Sequence, residues 1–308
     1  MRFPDFKELR KDKPYLFLTF CTVIFLAIIS LVFGSVFYYA SPVLMKTGII
    51  NFVFGEKWGD GEYGIFIYLW GTMYLTFVTM CISFPIGIFT AVYLAEFAHP
   101  KIRGPMKTSI ELLVGIPSVV YGIFGYYVLR FYLRDYVNPF IGATLGQFIP
   151  FFAYNPSSGG EGIFLAAIVL SIMIIPTIVS ISYDSMRSVS KSFREGSFAL
   201  GATKWETIKD VVIPVSMPGI VAGATLGITR ALGETMAIVM LMGNTYTKPV
   251  SILDTGYAMT SVILNSLGEN FGNERMNALF GIAVVLFMLE AFFIVLIKVA
   301  ARGFKNAT

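Results

Sequence analysis

Long apolar runs alternate with short polar segments along this chain, and the length of the runs decides its class. Six of them, at roughly 15–39, 69–96, 108–130, 162–184, 219–243 and 277–301, hold few charged residues. Each suffices to cross a hydrocarbon core about 30 Å thick. Inside lipid the backbone must satisfy its own polar groups, so apolar runs of this kind fold as helices. The pattern predicts an all-α integral membrane protein with six transmembrane helices. Its parts are a basic N-terminus at 1–14, a six-span domain at 15–301 and a tail at 302–308. The first run is too long for the apolar core of a signal peptide and has no small-residue cleavage site, so it reads as a retained span.

Lysine and arginine give the orientation. One set of loops carries 16 of them: Arg2, Lys7, Arg10, Lys11 and Lys13, then Lys101, Arg103 and Lys107, then Arg187, Lys191, Arg194, Lys204 and Lys209, and finally Lys298, Arg302 and Lys305. The opposite set carries 6, namely Lys46, Lys57, Arg130, Arg134, Lys248 and Arg275, and Arg230 is left inside a run. By the positive-inside rule both termini are cytoplasmic.

Composition narrows the function. The chain is 56% hydrophobic and 14% charged, where a soluble domain carries about a quarter charged residues. A net charge of +4 spread over loops suggests no nucleic-acid partner. His99 is the sole histidine, and Cys21 and Cys81 both fall in apolar runs, so no metal site, cofactor or stabilising disulfide is expected. An intramembrane enzyme would need catalytic groups gathered at one depth, which this sequence lacks. There is also no phosphate loop of the form G-x4-G-K-[ST]. The outer loops at 55–64 and 155–160 are rich in glycine and turn residues, suited either to receiving a docking protein or to simple connection. Pro85, Pro117 and Pro176 lie inside runs, where each predicts a bend.

The segment 192–214 carries local instructions of its own. Ser192 and Glu195 have capping-box spacing, Gly201 suits the end of the helix they start, and Thr203 and Glu206 repeat the spacing for a second short helix bounded by Pro214. The expectation is a cytoplasmic helical hairpin, either a plain connector or a docking element.

The fifth run holds charge. Arg230 lies about midway along it, where a charge costs at least ~2.5 kcal/mol. Gly219, Gly223 and Gly227 share a helical stripe that Arg230 and Glu234 continue, so the pair is expected to face protein or water. One reading is an i,i+4 salt bridge that fixes packing. The other is anion handling. A guanidinium makes two-point contact with oxyanions, and a carboxylate accepts the proton that phosphate, unlike sulfate, still bears. Glu290 in the sixth run reads as a snorkelling or internally hydrogen-bonded group, with a transport role as the alternative. Glu111 lies near the inner end of the third run.

Glu195, Gly196 and Ser197, Gly201 six residues after Glu195, and then Val211, Ile213 and Pro214 resemble the E-A-A-x3-G-x9-I-x-L-P motif of binding-protein-dependent ABC permeases, with glycine and serine in place of the two alanines. Arg230-Ala-Leu-Gly-Glu-Thr-Met236, with Gly115-Ile-Pro-Ser-Val-Val-Tyr-Gly122, is similar to the phosphate-specific members. The basic N-terminus and long first outer loop look more like the PstC type than the PstA type, although both share these motifs. The resemblance implies a type I ABC importer permease fold in the cell inner membrane. It also implies that Glu195, Gly196, Ser197, Gly201 and Pro214 couple to an ATPase, and that Arg230 and Glu234 line a path for inorganic phosphate. Sulfate or molybdate is the alternative cargo. The implied partners are a PstA-like second permease, two PstB-like cassette subunits that hydrolyse the ATP, and a PstS-like phosphate-binding protein outside. This chain would then be no enzyme. An ion channel, the remaining rival, needs no coupling element.

Overall fold

A computed structural model describes residues 13–59, 61–267 and 273–305. The basic residues Arg2, Lys7, Arg10 and Lys11 lie outside the described residues. Among the described residues the fold is all-α apart from one two-stranded hairpin. Its long helices are α1 (Lys13–Thr47), α3 (Phe66–Phe97), α6 (Ile163–Ser188), α8 (Lys204–Gly233) and α11 (Asn273–Lys305). A bent pair, α4 (Pro100–Val114) and α5 (Ser118–Thr144), meeting at 90°, is long and apolar enough for a sixth crossing when its two helices are taken together. Helix α11 runs to Lys305, so the expected tail at 302–308 is helical as far as that residue.

Helix α6 is the central post. It packs against α3 on one side and α8 on another, and Ile163, Leu170, Ile174 and Ile178 along it are fully buried. The glycine stripe of α8 permits that approach. A side chain on Gly219 would collide with Ser185, and one on Gly223 or Gly227 would press on Ile178 and its neighbours. Such close contact is the usual use of small residues in membrane helices. Helix α1 lies outermost, packed on α11, with Phe17, Leu18, Phe20 and Leu31 exposed as lipid-facing residues should be.

Four expectations need correction. First, the third run is not one kinked helix over 108–130. The chain breaks at Gly115–Pro117, because Pro117 has no N–H to give the Leu113 carbonyl one turn earlier. The Tyr121 hydroxyl donates to that carbonyl instead, at 3.0 Å. Helices α3 and α6 continue through Pro85 and Pro176. Second, the fifth span stops at Gly233 instead of 243. Third, the hairpin's first helix, α7 (Lys191–Ala199), is capped by Ser190, whose hydroxyl accepts from the Ser192 N–H. The Ser192–Glu195 capping box is not used, because an N-cap already lies two residues upstream. Fourth, the second arm is not bounded by Pro214. It runs through a π-helical turn at Ile208–Val212 into the rest of α8. That wider turn carries the proline near a fresh helical start, where its missing N–H costs little.

The end opposite the hairpin is closed by loops. A short helix α2 (Ile49–Phe54) precedes the strands β1 (Trp58–Gly59) and β2 (Glu62–Tyr63), which turn through left-handed Gly61. Farther on, α9 (Met236–Leu241) and α10 (Met259–Ser266) flank the segment 243–258, which folds back into the bundle. There the Gly162, Ile163 and Phe164 N–H groups at the start of α6 donate to the carbonyls of Leu241, Asp254 and Ile252. The segment thereby satisfies backbone donors that a helix start leaves open. Arg130 of α5 joins this end through an ion pair of 2.5 Å with Glu161 and lies 4.0 Å over the Tyr126 ring.

Candidate functional site

The two charges of the fifth run sit at a break between helices. Helix α8 ends at Gly233, Glu234 is extended (φ −67°, ψ 135°), and α9 begins at Met236. Arg230 therefore lies in the last turn of α8, where the negative end of the helix dipole favours a cation. The Glu234 carboxylate reaches forward and accepts the Ala237 N–H at 3.3 Å. Each charge thus meets a helix end of opposite sign, an arrangement unavailable in the unbroken helix the sequence suggested.

The break is held by specific bonds. The Thr260 hydroxyl of α10 donates to the Glu234 carbonyl at 2.8 Å, and the Thr235 hydroxyl donates to that of Gly233 at 3.3 Å. Arg230 and Glu234 are both half-buried and form no ion pair with each other within 4.0 Å. The packing salt bridge is therefore not formed. Among the described residues no carboxylate or carbonyl is paired with the Arg230 guanidinium, which stands within electrostatic reach of Tyr121 across the α4–α5 corner. A planar cation held half-exposed without a partner is chemically suited to a diffusible oxyanion.

Glu290 of α11 approaches the same break. Its Oε1 lies 3.5 Å from where a side chain on Gly233 would begin. Of the two structural readings of Glu290, snorkelling or an internal hydrogen bond, the hydrogen bond is not found among the described residues. Glu111 instead accepts from the Ser180 hydroxyl at 3.0 Å, with Lys107 at 3.5 Å.

At the other end of α8 the hairpin is well formed. Leu200 closes α7, and left-handed Gly201 (φ 86°) follows. The Gly201 N–H donates to the Phe198 carbonyl at 2.9 Å and the Ala202 N–H to that of Ser197 at 3.2 Å, the paired bonds of a Schellman turn. Thr203 and Glu206 make the expected capping box. The Ser197 and Thr207 hydroxyls, 2.9 Å apart, tie the two arms together. Glu195, Gly196 and Gly201 are exposed, and Pro214 is half-buried inside α8. Around the turn Phe193, Phe198, Trp205 and above all Leu200, 91% exposed, present a bare apolar surface. Apolar side chains gathered on a polar hairpin mark an interaction surface.

One constellation was not visible as such in the sequence. Arg194 served there only as an orientation charge and Glu96 as the end of a span. The fold brings them to 2.8 Å beneath the hairpin. No local pattern announces a pair 98 residues apart.

Comparison with known proteins agrees with this architecture. The profile of the family described as binding-protein-dependent transport system inner membrane component matches residues 83–305. A protein named probable ABC transporter permease protein YqgH, from Bacillus subtilis, is 38% identical over 255 residues, covering 81% of this chain and 76% of the relative. The phosphate transport system permease protein PstC of Pasteurella multocida is 34% identical over 264 residues, covering 84% and 80%. That of Xylella fastidiosa is 33% identical over 291 residues, covering 92% and 89%. Among solved structures, a chain of a bacterial ABC transporter involved in alginate import superposes with a TM-score of 0.62 over 96% of this chain and 98% of its own, at 14% identity. That likeness establishes the type I importer permease fold and nothing about cargo. With a profile spanning most of the chain and relatives above 30% identity along most of their own length, the protein belongs to the family of inner-membrane components of binding-protein-dependent transport systems.

Proposed function

We propose that this chain is the PstC-type permease subunit of an ATP-driven importer that carries inorganic phosphate into the cytoplasm. A permease of this family works with a cassette ATPase and a substrate-binding protein. The finer assignment is a PstA-like second permease, two PstB-like cassettes inside and a PstS-like phosphate-binding protein outside. The hairpin end then faces the cytoplasm, with both termini on that side, in accord with the 16 basic residues of that set of loops. In this reading Glu195, Gly196, Ser197, Gly201 and Pro214 belong to the segment that seats a cassette. The bare apolar residues around Leu200 support that role.

The observation that carries the cargo assignment is the Arg230 guanidinium at the α8–α9 break, unpaired among the described residues, with Glu234 beside it. Arg230 draws the anion from water. Glu234 remains able to accept a hydrogen bond from the proton of hydrogen phosphate and repels an unprotonated sulfate or molybdate. The names of the relatives, PstC in several organisms, favour the same cargo.

The test is phosphate uptake by reconstituted importer carrying Arg230→Gln or Glu234→Gln. Uptake is expected to fail in the first. In the second, competition by sulfate is expected to rise. Full uptake by both variants at normal assembly, with unaltered competition, would refute the assignment.

A further inference from the structure

The hairpin is fastened to the membrane bundle at the inner end of α3. Helix α3 ends in a π-helical turn, Tyr93–Phe97, and both arms of the hairpin reach that turn. From the first arm, the Arg194 guanidinium donates to Glu96 Oε1 at 2.8 Å, to the Val189 carbonyl at 2.5 Å and to the Met186 carbonyl at 2.9 Å. Those carbonyls belong to the end of α6, so one planar cation joins α7 to the inner ends of both α3 and α6. From the second arm, the Lys204 ammonium lies 4.5 Å over the Phe97 ring. Beneath them Leu94, Ala95, Ala98, Met186, Val189, Ile208 and Val212 form a buried apolar cluster.

The Arg194–Glu96 pair is largely shielded, with side chains 17% and 11% exposed. An exposed ion pair is worth little, but a shielded one with further hydrogen bonds fixes one geometry. The acceptors are divided between the two terminal nitrogens, Val189 on Nη1 and Glu96 with Met186 on Nη2, and a guanidinium fork serves them together where an ammonium has no fixed geometry. Sliding α7 by even a few ångströms costs all three bonds.

We infer that Arg194 and Glu96 form a transmission clamp, which makes the hairpin rigid with α3 and α6 so that a displacement imposed at Leu200 moves the whole bundle. Without the clamp the hairpin still seats the cassette but yields beneath it. ATP is then hydrolysed with less substrate moved for each turnover. Arg194 and Glu96 touch neither cargo nor nucleotide and act as positioning residues. The inference rests on the proposal that the hairpin seats a cassette ATPase.

The experiment uses the complete importer in proteoliposomes, measuring copurified cassette, ATP hydrolysis and phosphate uptake together. In Arg194→Gln and Glu96→Gln, phosphate imported per ATP is expected to fall roughly fivefold or more, the range of a typical coupling between sites. Arg194→Lys restores the charge without the fork and is expected to recover only part of the ratio. The double variant R194Q/E96Q leaves no lone buried charge, so it is expected to regain thermal stability and not coupling. A purely structural pair would regain both. A normal ratio in Arg194→Gln, or failure of every one of these variants to assemble, would overturn the clamp. Leu200→Asp separates this from the parent reading. Loss of the cassette in Leu200→Asp beside a normal ratio in Arg194→Gln discards the clamp alone, whereas a bound cassette and normal uptake in Leu200→Asp discard the seating role itself.

Discussion

Gly201 lies at the turn of the hairpin for one of two reasons, and the structure separates them. Its φ of 86° is left-handed, and a Cβ built on it meets nothing within 4 Å. Within this chain the penalty for a side chain is therefore conformational alone, about 1–2 kcal/mol for an ordinary L-residue and less for asparagine. The turn it serves is closed by two backbone bonds, each worth about 1 kcal/mol net. A penalty of that size is comparable with what holds the turn. One or two kcal/mol lowers the ratio of formed to unformed turn by about 5–30-fold, which takes a turn held by about 2 kcal/mol down to roughly half formed. A cassette that binds only the formed hairpin loses apparent affinity in proportion to the formed fraction, about twofold when the penalty cancels the two bonds.

The assay is titration of the cassette subunit onto the paired permeases in nanodiscs. Gly201→Val is expected to bind at least about twofold more weakly, Gly201→Ala less so, and Gly201→Asn like the parent. Asparagine as damaging as valine would refute the conformational argument. It would mean that the cassette approaches too closely for any side chain. Gly196→Ala is the matched control. It lies inside α7 with open space within this chain where the methyl would go, so it is expected to gain about 0.5–1 kcal/mol of helix stability.

Other expectations follow from the same geometry. Along the glycine stripe of α8, Gly219→Ala would place a methyl 2.2 Å from Ser185 Cβ, against 3.3 Å from the Ser182 hydroxyl for Gly223→Ala. The first is expected to lower stability in detergent by about 1–3 kcal/mol and the second to be near neutral, so equal melting temperatures would count against this packing. Tyr121→Phe leaves the Leu113 carbonyl without the hydroxyl at the α4–α5 corner and is expected to cost about 1 kcal/mol, read as a lower melting temperature. At the loop end the Tyr246 hydroxyl donates to the Glu56 carbonyl, and burial, then the Glu56 charge, push its pKa above the ordinary tyrosine value. A raised pKa means that this contribution is whole below the ordinary value and is lost as pH climbs through the folded one. Tyr246→Phe should therefore flatten the alkaline limb of a stability–pH profile, and an unchanged limb would remove Tyr246 as its source.

The spans were legible because each is a long apolar run with one possible outcome in lipid. The glycine stripe was legible because helical periodicity puts residues four apart on one face, and Gly219 and Gly223 do meet Ser185 and Ser182. Capping chemistry was legible where it is local, as at Thr203 and Glu206. It misled at Ser192, because Ser190 offers an equally good hydroxyl and the chain uses the earlier one. The break at Glu234 escaped because no proline or glycine pair marks it. Gly233 stands beside it, but Gly223 and Gly227 lie in the same run without breaking it, and the bonds that hold the break come partly from Thr260, 26 residues away. The third span shows the converse: Pro117 announced a disturbance, but its size depends on Tyr121 and the packing of α5, which periodicity does not contain.

That difference bears on how a charge pair is read in a membrane sequence. On an unbroken helix, Arg230 and Glu234 lie one turn apart and would neutralise each other, leaving little for a passing anion. Ending the helix between them removes that option. The guanidinium falls at a carboxyl end and the carboxylate caps the next amino end, so each is stabilised by backbone dipoles without consuming the other. The pair is affordable inside the bundle and still unspent. A substitution that restored helix through 233–236 should therefore abolish uptake with both charges in place. Gly233→Ala with Thr235→Ala, which favours helix at two positions, is the form in which to make it. Uptake surviving in a variant whose helix is shown to be continuous would mean that the charges act by their presence alone and the break is incidental.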